Sequence, residues 1–190
     1  FALTACDLVT VVDKMYWPSA AITFEHDNKL MLNSYVDSGY KPVPITEKNK
    51  HAIELFLAHI KNMLSDEKEQ TILLDWLAYV VQNAGKRINW AILLQGAQGT
   101  GKSYFAKVLE WLLGSNAKSL DPSALGERFT GWAHGSLVNI VEEIRIKGDD
   151  KWRIMDRLKP FITNSMIQIE EKGRDHRTVP NFTNYLLLTN

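Results

Sequence analysis

The sequence has little cysteine and no excess of charge of either sign. A single cysteine, Cys6, excludes an internal disulfide framework and a zinc ribbon, and it is consistent with a reducing compartment. Lysine plus arginine equals aspartate plus glutamate at 22 each, which argues against a surface that coats nucleic acid or membrane as a whole, although a local basic patch is still allowed. No run of about 18 apolar residues occurs, so the sequence predicts no membrane-spanning helix.

The composition is nevertheless that of a globular protein. The chain contains 45% hydrophobic and 23% charged residues, and its 190 residues are enough to bury the core of one domain with a flanking subdomain. It begins at Phe1 and stops at Asn190, directly after an apolar run, so we expect it to be part of a longer protein. Residues 1–45 show no assignable pattern and form an N-terminal segment of unassigned structure.

Two amphipathic helices are predicted within 46–88. Apolar residues recur three and four positions apart at 53–64 and again at 72–81, which places them on one face of each helix. We expect Ser65, which is followed by two acidic residues, to cap the second helix, and Gly85 to end it. The region is therefore expected to be a small, mainly helical subdomain.

From residue 89 onward, short apolar runs alternate with helical patterns. Strands are predicted at 91–94, 117–120, 137–141 and 185–188, helices from Ser103 to Gly114 and at 122–129 and 151–162, and hairpin arms at 166–171 and 178–182. The first strand is continuously apolar, as expected of a strand covered on both faces. Strands that alternate with helices favour an α/β fold with a parallel sheet and helices on both sides, here assigned to 89–190.

The segment between the first of these strands and its following helix matches the phosphate-loop pattern at every fixed position. Its residues are Gly96, Ala97, Gln98, Gly99, Thr100, Gly101, Lys102 and Ser103. The glycines let backbone N–H groups approach phosphates, and the loop opens a helix whose positive end attracts anions. Lys102 is predicted to bind the β- and γ-phosphates of ATP, and Ser103 to bind Mg²⁺.

Polar side chains follow two other predicted strands. Glu142 and Glu143 close one strand and Asn190 closes the last. Ligands of a parallel sheet gather beyond the carboxyl ends of its strands, so we expect all three near the phosphates. We assign Glu142 to the metal, Glu143 to the attacking water, and Asn190 to orienting that water or contacting the γ-phosphate.

Basic residues outnumber acidic ones over 144–190. Lys159, Lys172, Arg174 and Arg177 are the candidate contacts to a phosphodiester backbone, because three of them lie on or beside the predicted hairpin turn. The alternative is an ordinary solvated, charged turn.

Taken together, these residues resemble the superfamily 3 helicases, in particular the primase-associated helicases of phages, poxvirus-type viruses and plasmids. Besides the phosphate loop, the resemblance rests on residues 129–132 (FTGW), 138–143 (VNIVEE), 158–162 (LKPFI), 167–173 (IQIEEKG) and 184–190 (NYLLLTN), with 74–78 (LDWLA) ahead of the loop. It implies an AAA+-like phosphate-loop ATPase that uses ATP and Mg²⁺ and moves along single-stranded DNA. It further implies a homo-oligomeric ring, typically a hexamer, that works in the cytoplasm with other replication proteins or a fused primase domain and without a membrane.

The same resemblance implies catalytic roles for Lys102, Glu142, Glu143 and Asn190. An arginine finger is expected beyond the last strand, acting on a neighbouring subunit's site. Three alternatives stay open: a phosphate-loop ATPase that remodels a protein partner, a small-molecule kinase, and a nucleotide-binding assembly module that does not hydrolyse ATP.

Overall fold

The structure, a computed structural model, describes residues 10–18, 21–142 and 150–190, of which 150–153 by backbone alone. The strands are β1 (Asp13–Met15), β2 (Thr23–His26), β3 (Lys29–Asn33), β4 (Ile92–Gln95), β5 (Ala117–Leu120), β6 (Val138–Val141), β7 (Met166–Ile169), β8 (Arg177–Pro180) and β9 (Asn184–Thr189). The helices are α1 (Glu47–Met63), α2 (Glu67–Gln82), α3 (Ser103–Leu113) and α4 (Asp150–Thr163). This is a mixed α/β arrangement of helices and strands.

A four-stranded parallel sheet in the order β4-β9-β6-β5 organises the molecule. The last strand of the chain therefore lies between β4 and β6, with Gln95 opposite Thr189 and Val141 opposite Leu187. Because the strands are parallel, their carboxyl ends meet at one edge of the sheet. The predicted parallel sheet is confirmed.

Side chains on β6 and β9 alternate between two cores, one on each face of the sheet. The first core joins the sheet to α1, α2 and α3 through Ile60, Trp76, Phe105, Leu109, Val138, Ile140, Leu186 and Leu188. The second joins it to α4 and to β7 and β8 through Val141, Leu158, Ile167, Ile169, Val179, Tyr185 and Leu187. The two-residue period of a strand divides the apolar residues in this way, and it explains why both strands are mostly apolar.

The outer strand β4 departs from its prediction. It was expected to be covered on both faces, but only Ile92 and Leu94 are buried, while Leu93 is 44% exposed. The reason is the position of β4 in the sheet. It is one of the two edge strands, and none of its residues belongs to the second core.

Two local predictions about helices are also wrong. The cap of α2 is Asp66 and not Ser65, because a carboxylate oxygen of Asp66 accepts hydrogen bonds from the backbone N–H groups of Lys68 (2.7 Å) and Glu69 (3.4 Å). The helix predicted at 122–129 is only a 3₁₀ turn at Pro122–Gly126, since this stretch has no periodic apolar face and Gly126, a poor helix former, lies within it.

The hairpin is confirmed, with shorter arms than predicted. β7 and β8 pair antiparallel from Met166 opposite Pro180 to Ile169 opposite Arg177. The turn between them carries two of the four candidate DNA-binding cations, Lys172 and Arg174.

The N-terminal segment forms a three-stranded sheet in the order β1-β3-β2, which the sequence analysis did not find. Asp27 and Asn28 have φ of 50° and 58° and connect β2 to β3 in a two-residue turn. After glycine, aspartate and asparagine are the residues that best tolerate positive φ, so this pair was a usable hairpin signal. Across the described ranges, no helix is both long and apolar enough to span a membrane.

Candidate functional site

The glycine-rich loop occupies the carboxyl edge of the sheet, between β4 and α3. Gly99 and Gly101 have φ of +82° and +90°, in the left-handed region that favours glycine. Gly101 is constrained a second time, since a Cβ there would lie 2.3 Å from the Cε1 atom of His59 on α1. The loop therefore requires glycine at this position for both its backbone and its surroundings.

His59 is a contact that sequence reasoning missed. Its Nε2 atom lies 3.1 Å from the carbonyl oxygen of Gly101, and its ring packs against Tyr104 and Phe105 at the start of α3. The contact joins residues 42 positions apart, and local sequence patterns carry no signal for it.

Lys102 is buried, and its ammonium group points back into the loop and toward the end of β9. Its Nζ atom donates to the carbonyl oxygens of Gly96 (2.6 Å) and Ala97 (2.8 Å) and to Oδ1 of Asn190 (3.1 Å). The N–H group of Gly96 in turn donates to the carbonyl oxygen of Thr189 at 3.3 Å. The structure thus brings Lys102 and Asn190 together, as the sequence predicted.

Ser103 and Glu142 also meet directly. The Oγ atom of Ser103 donates to Oε2 of Glu142 at 2.5 Å, from α3 across to the residue that follows β6. A hydroxyl and a carboxylate are hard oxygen ligands of the type that Mg²⁺ prefers, and Mg²⁺ usually completes its shell with waters and substrate phosphates. Within the described residues no group of three His, Cys, Asp or Glu forms a metal cluster.

These groups line one cavity of about 330 Å³ at the carboxyl edge of the sheet. Its walls are Gln98, Gly99, Gly101, Lys102, Ser103, Glu142, Leu188, Thr189 and Asn190. The cavity is lined by one cation, one carboxylate, two hydroxyls and two side-chain amides together with backbone, which is a suitable environment for a phosphate ester. Glu143, predicted to act on the attacking water, lies outside the described residues.

The candidate DNA-binding cations fall into two places. Lys172 and Arg174 are exposed in the hairpin turn, and Arg177 opens β8. Glu171 pairs with two of them, at 3.0 Å from Nη2 of Arg177 and 3.6 Å from Nη1 of Arg174. Lys159 lies apart from these three, exposed on α4.

Comparison with known proteins identifies a phage relative. The chain is similar to the DNA Primase-polymerase of Nitratiruptor phage NrS-1, with 23% identity over 180 residues. The match covers 92% of this chain and 24% of the relative, so the chain spans about a quarter of that protein's length.

Solved structures of the NrS-1 C-terminal region share the fold. One apo structure superposes with a TM-score of 0.77 at 21% identity, covering 93% of this chain and 42% of the other. A second apo structure, the A form, gives a TM-score of 0.74 at the same identity and coverage.

A family model also matches, and it covers the half of the chain that contains the cavity. The matched residues, 94–190, run from the end of β4 through the loop, Glu142 and the hairpin to Asn190. The chain therefore belongs to this family, which is described as a family of unknown function (DUF5906).

Proposed function

We propose that this chain is the ATP-hydrolysing motor part of a phage-type DNA replication protein, a phosphate-loop ATPase of the superfamily 3 helicase kind. In this proposal ATP binds at the 330 Å³ cavity, and its hydrolysis drives movement along single-stranded DNA. One observation carries the proposal: Lys102 with Ser103, Glu142 and Asn190 come from three separate stretches of the chain and converge on one sheet edge.

The strand order supports this reading of the site. Because β9 lies between β4 and β6, Asn190 lies between the loop and Glu142. A nucleotide whose phosphates rest on the loop would then have the amide beside its terminal phosphate and the carboxylate on the metal side. A glycine-rich turn with no ligand would have no reason to gather these groups.

Each residue has a distinct task in the proposal. The backbone N–H groups of 96–103 and the ammonium group of Lys102 hold the phosphates. Ser103 and Glu142 hold Mg²⁺, which when bound neutralises charge on the phosphate oxygens. Glu143 polarises the attacking water, and Asn190 orients it without adding charge.

The relative supports the link to DNA. The NrS-1 protein is named a DNA Primase-polymerase, and the fold of its C-terminal region is the fold found here. We propose that this chain likewise serves DNA replication, with the cations Lys159, Lys172, Arg174 and Arg177 near the strand. Other replication proteins, or a primase domain in the same polypeptide, are the proposed partners.

Assembly into a homo-oligomeric ring, a hexamer in this proposal, completes the site in the cytoplasm of the host cell. An arginine from the neighbouring subunit would stabilise charge on the transferred phosphoryl group, so an isolated subunit should hydrolyse ATP slowly. Nucleotide binding is therefore measured alongside turnover.

The test compares ATP binding and turnover in the chain, with and without single-stranded DNA, and in Lys102→Ala. Lys107→Ala is the matched control, because Lys107 is an exposed lysine on the same helix, and it does not line the cavity. We expect Lys102→Ala to lose ATP binding, Lys107→Ala to keep it, and DNA to stimulate turnover in a version extended past Asn190.

Other outcomes favour the alternatives. Turnover that needs Lys102 but ignores DNA favours an ATPase that remodels a protein. Phosphate transfer to a small acceptor favours a kinase, and tight binding with no turnover in the extended version favours an assembly module. ATP binding that survives Lys102→Ala contradicts all of these readings of the loop.

A further inference from the structure

A second cavity, of about 320 Å³, lies where three parts of the chain meet. β1 contributes Lys14, the edge strand β5 contributes Lys118, and the hairpin contributes Arg174 and Arg177. Lys118 is near the start of β5, whereas the phosphate-loop cavity lies beyond the other ends of the strands. We call this second cavity the basic pocket.

The basic pocket has more positive than negative charge. Glu171 is the one carboxylate among its lining residues, against the four cations, and it already pairs with both hairpin arginines. Lys118 donates to a neutral group, the carbonyl oxygen of His134, at 2.7 Å. Within the described residues, the buried Nε atom of Arg177 has no hydrogen-bond partner. The pocket therefore holds both uncompensated charge and an unused donor.

The backbone of Gly135 lies beside the ammonium group of Lys118. A Cβ added at Gly135, where φ is +78°, would lie 3.4 Å from the Nζ atom of Lys118. Burial lowers the pKa of Lys118 because the ammonium group loses hydration in the folded protein, while the charge of Glu171 acts in the opposite direction. A partly buried cation of this kind costs free energy unless an anion offsets it.

We propose that the basic pocket binds a phosphate group of single-stranded DNA, with Lys118 and Arg177 as its principal contacts and Lys14 at its rim. The nucleic acid source of that phosphate rests on the proposed function, whereas the preference for phosphate rests on the pocket's own charge. The strand would then be held at the base of the hairpin by three separate elements, in addition to any contact by Lys172 at the turn. The N-terminal sheet thereby becomes part of the DNA-binding surface.

The neighbouring cavity serves as an internal comparison. It measures about 600 Å³, and its lining contains Arg128, His176 and Glu170. Here two arginines face three carboxylates in the lining, and Glu170 contacts Nε of Arg128 at 2.6 Å. Size alone would select this cavity, but its lining has no excess of positive charge, and we place the phosphate in the basic pocket.

The experiment measures binding of a fluorescently labelled oligothymidylate to the full chain by anisotropy, over a series of salt concentrations. Lys118→Met removes the central charge, and Lys14→Gln removes the exposed one at the rim, so at least one variant should keep the native fold. We expect each to weaken binding several-fold. Each should also reduce the slope of log affinity against log salt by about 0.7, the value for one phosphate contact in a single strand.

Lys107→Met is the control for a lost surface lysine, and binding of a fluorescent ATP analogue reports on the other cavity. Oligonucleotide affinity and salt slope that are unchanged in both pocket variants would overturn the proposal. A second outcome is that the chain binds inorganic phosphate and that Lys118→Met abolishes this binding without changing DNA affinity. It would overturn the claim that the bound phosphate belongs to nucleic acid. If ATP binding survives Lys102→Ala while the pocket variants lose DNA binding, the proposed motor function is wrong and the proposed DNA contact in the basic pocket is supported.

Discussion

At the scale of single residues, Gly101 and His59 define how tightly the glycine-rich loop is packed. Gly101→Ala would place a methyl group against the imidazole ring and hold alanine at a φ of +90°. Left-handed backbone at a non-glycine residue costs about 1 kcal/mol or more before any steric clash is counted. We expect the variant to lose affinity for an ATP analogue at least tenfold, measured by fluorescence titration.

A paired variant separates the two causes. In Gly101→Ala with His59→Ala the steric clash is removed and the backbone strain remains, so binding should recover in part. Gly126→Ala is the control, because a Cβ there meets no atom within 4 Å. Full binding in Gly101→Ala alone would mean that the loop tolerates a side chain, and it would contradict this account of its shape.

His134 gives the protein a pH-dependent stability. Burial first, and then the charges of Arg177 and Lys118, lower its pKa to about 4, although Glu171 acts in the opposite direction. The ordinary value is near 6.5, so the unfolded chain takes up the proton first. Stability is therefore complete above about pH 6.5 and falls as the pH drops toward 4, by about 3 kcal/mol at most.

Urea denaturation between pH 4 and pH 7.5 measures this loss. His134→Gln should flatten the pH dependence even though it lowers stability overall. His51→Gln should not, because the side chain of His51 is 79% exposed. If the free energy of unfolding falls equally steeply with decreasing pH in the wild type and in His134→Gln, groups other than His134 cause the loss of stability at acid pH.

The sequence predicts that the loop, Glu142 and Asn190 meet at one edge of the sheet because the placement of each is local. Residues 96–103 and the strand ends at Glu142 and Asn190 are adjacent in sequence to the elements that position them. The contact of His59 with the loop and the meeting of Lys14 with Lys118 depend on tertiary packing instead. No periodicity or spacing reports on either of them.

At the scale of elements, the start of α2 tests how a helix chooses its cap. Asp66 accepts two backbone N–H groups, so Asp66→Ala should cost about 1 kcal/mol. Ser65→Ala, at the cap position that the sequence favoured, should cost little. Urea denaturation of both variants decides between them, and a larger loss in Ser65→Ala would contradict the structure.

Elements were predicted best where apolar residues dominate a buried strand. β6 and β9 match their predicted bounds to within a residue or two because most of their residues are apolar and all are buried, and β5 matches its bounds as well. The exposure of β4 was missed because edge position is a property of strand order, which an apolar run does not reveal. The small sheet at the N-terminus was missed because polar or charged residues interrupt the apolar ones in each of its strands, whose sequences are DKM, TFEH and KLMLN.

At the scale of the whole molecule, the sheet couples the loop cavity to both cores. Lys102 is the residue before α3, and α3 packs in the first core. Glu142 and Asn190 follow β6 and β9, the two strands that contribute to both cores. A ligand that bridges these groups is bound only by the folded protein, and it should therefore raise the stability of the whole domain. At 100 times its Kd the gain is about 2.7 kcal/mol.

For a chain of this length that gain corresponds to a rise in Tm of roughly 5–11 °C, which thermal denaturation with saturating Mg²⁺ and a non-hydrolysable ATP analogue would measure. Removing Mg²⁺ with EDTA should reduce the rise, because Glu142 and the phosphates then lose their shared cation. Glu142→Gln keeps an acceptor for Ser103 but loses the charge, so its Tm should depend little on Mg²⁺. Lys102→Ala should show no rise, and Lys107→Ala the full one. A rise that ignores Mg²⁺ in the wild type would place the nucleotide elsewhere in the molecule.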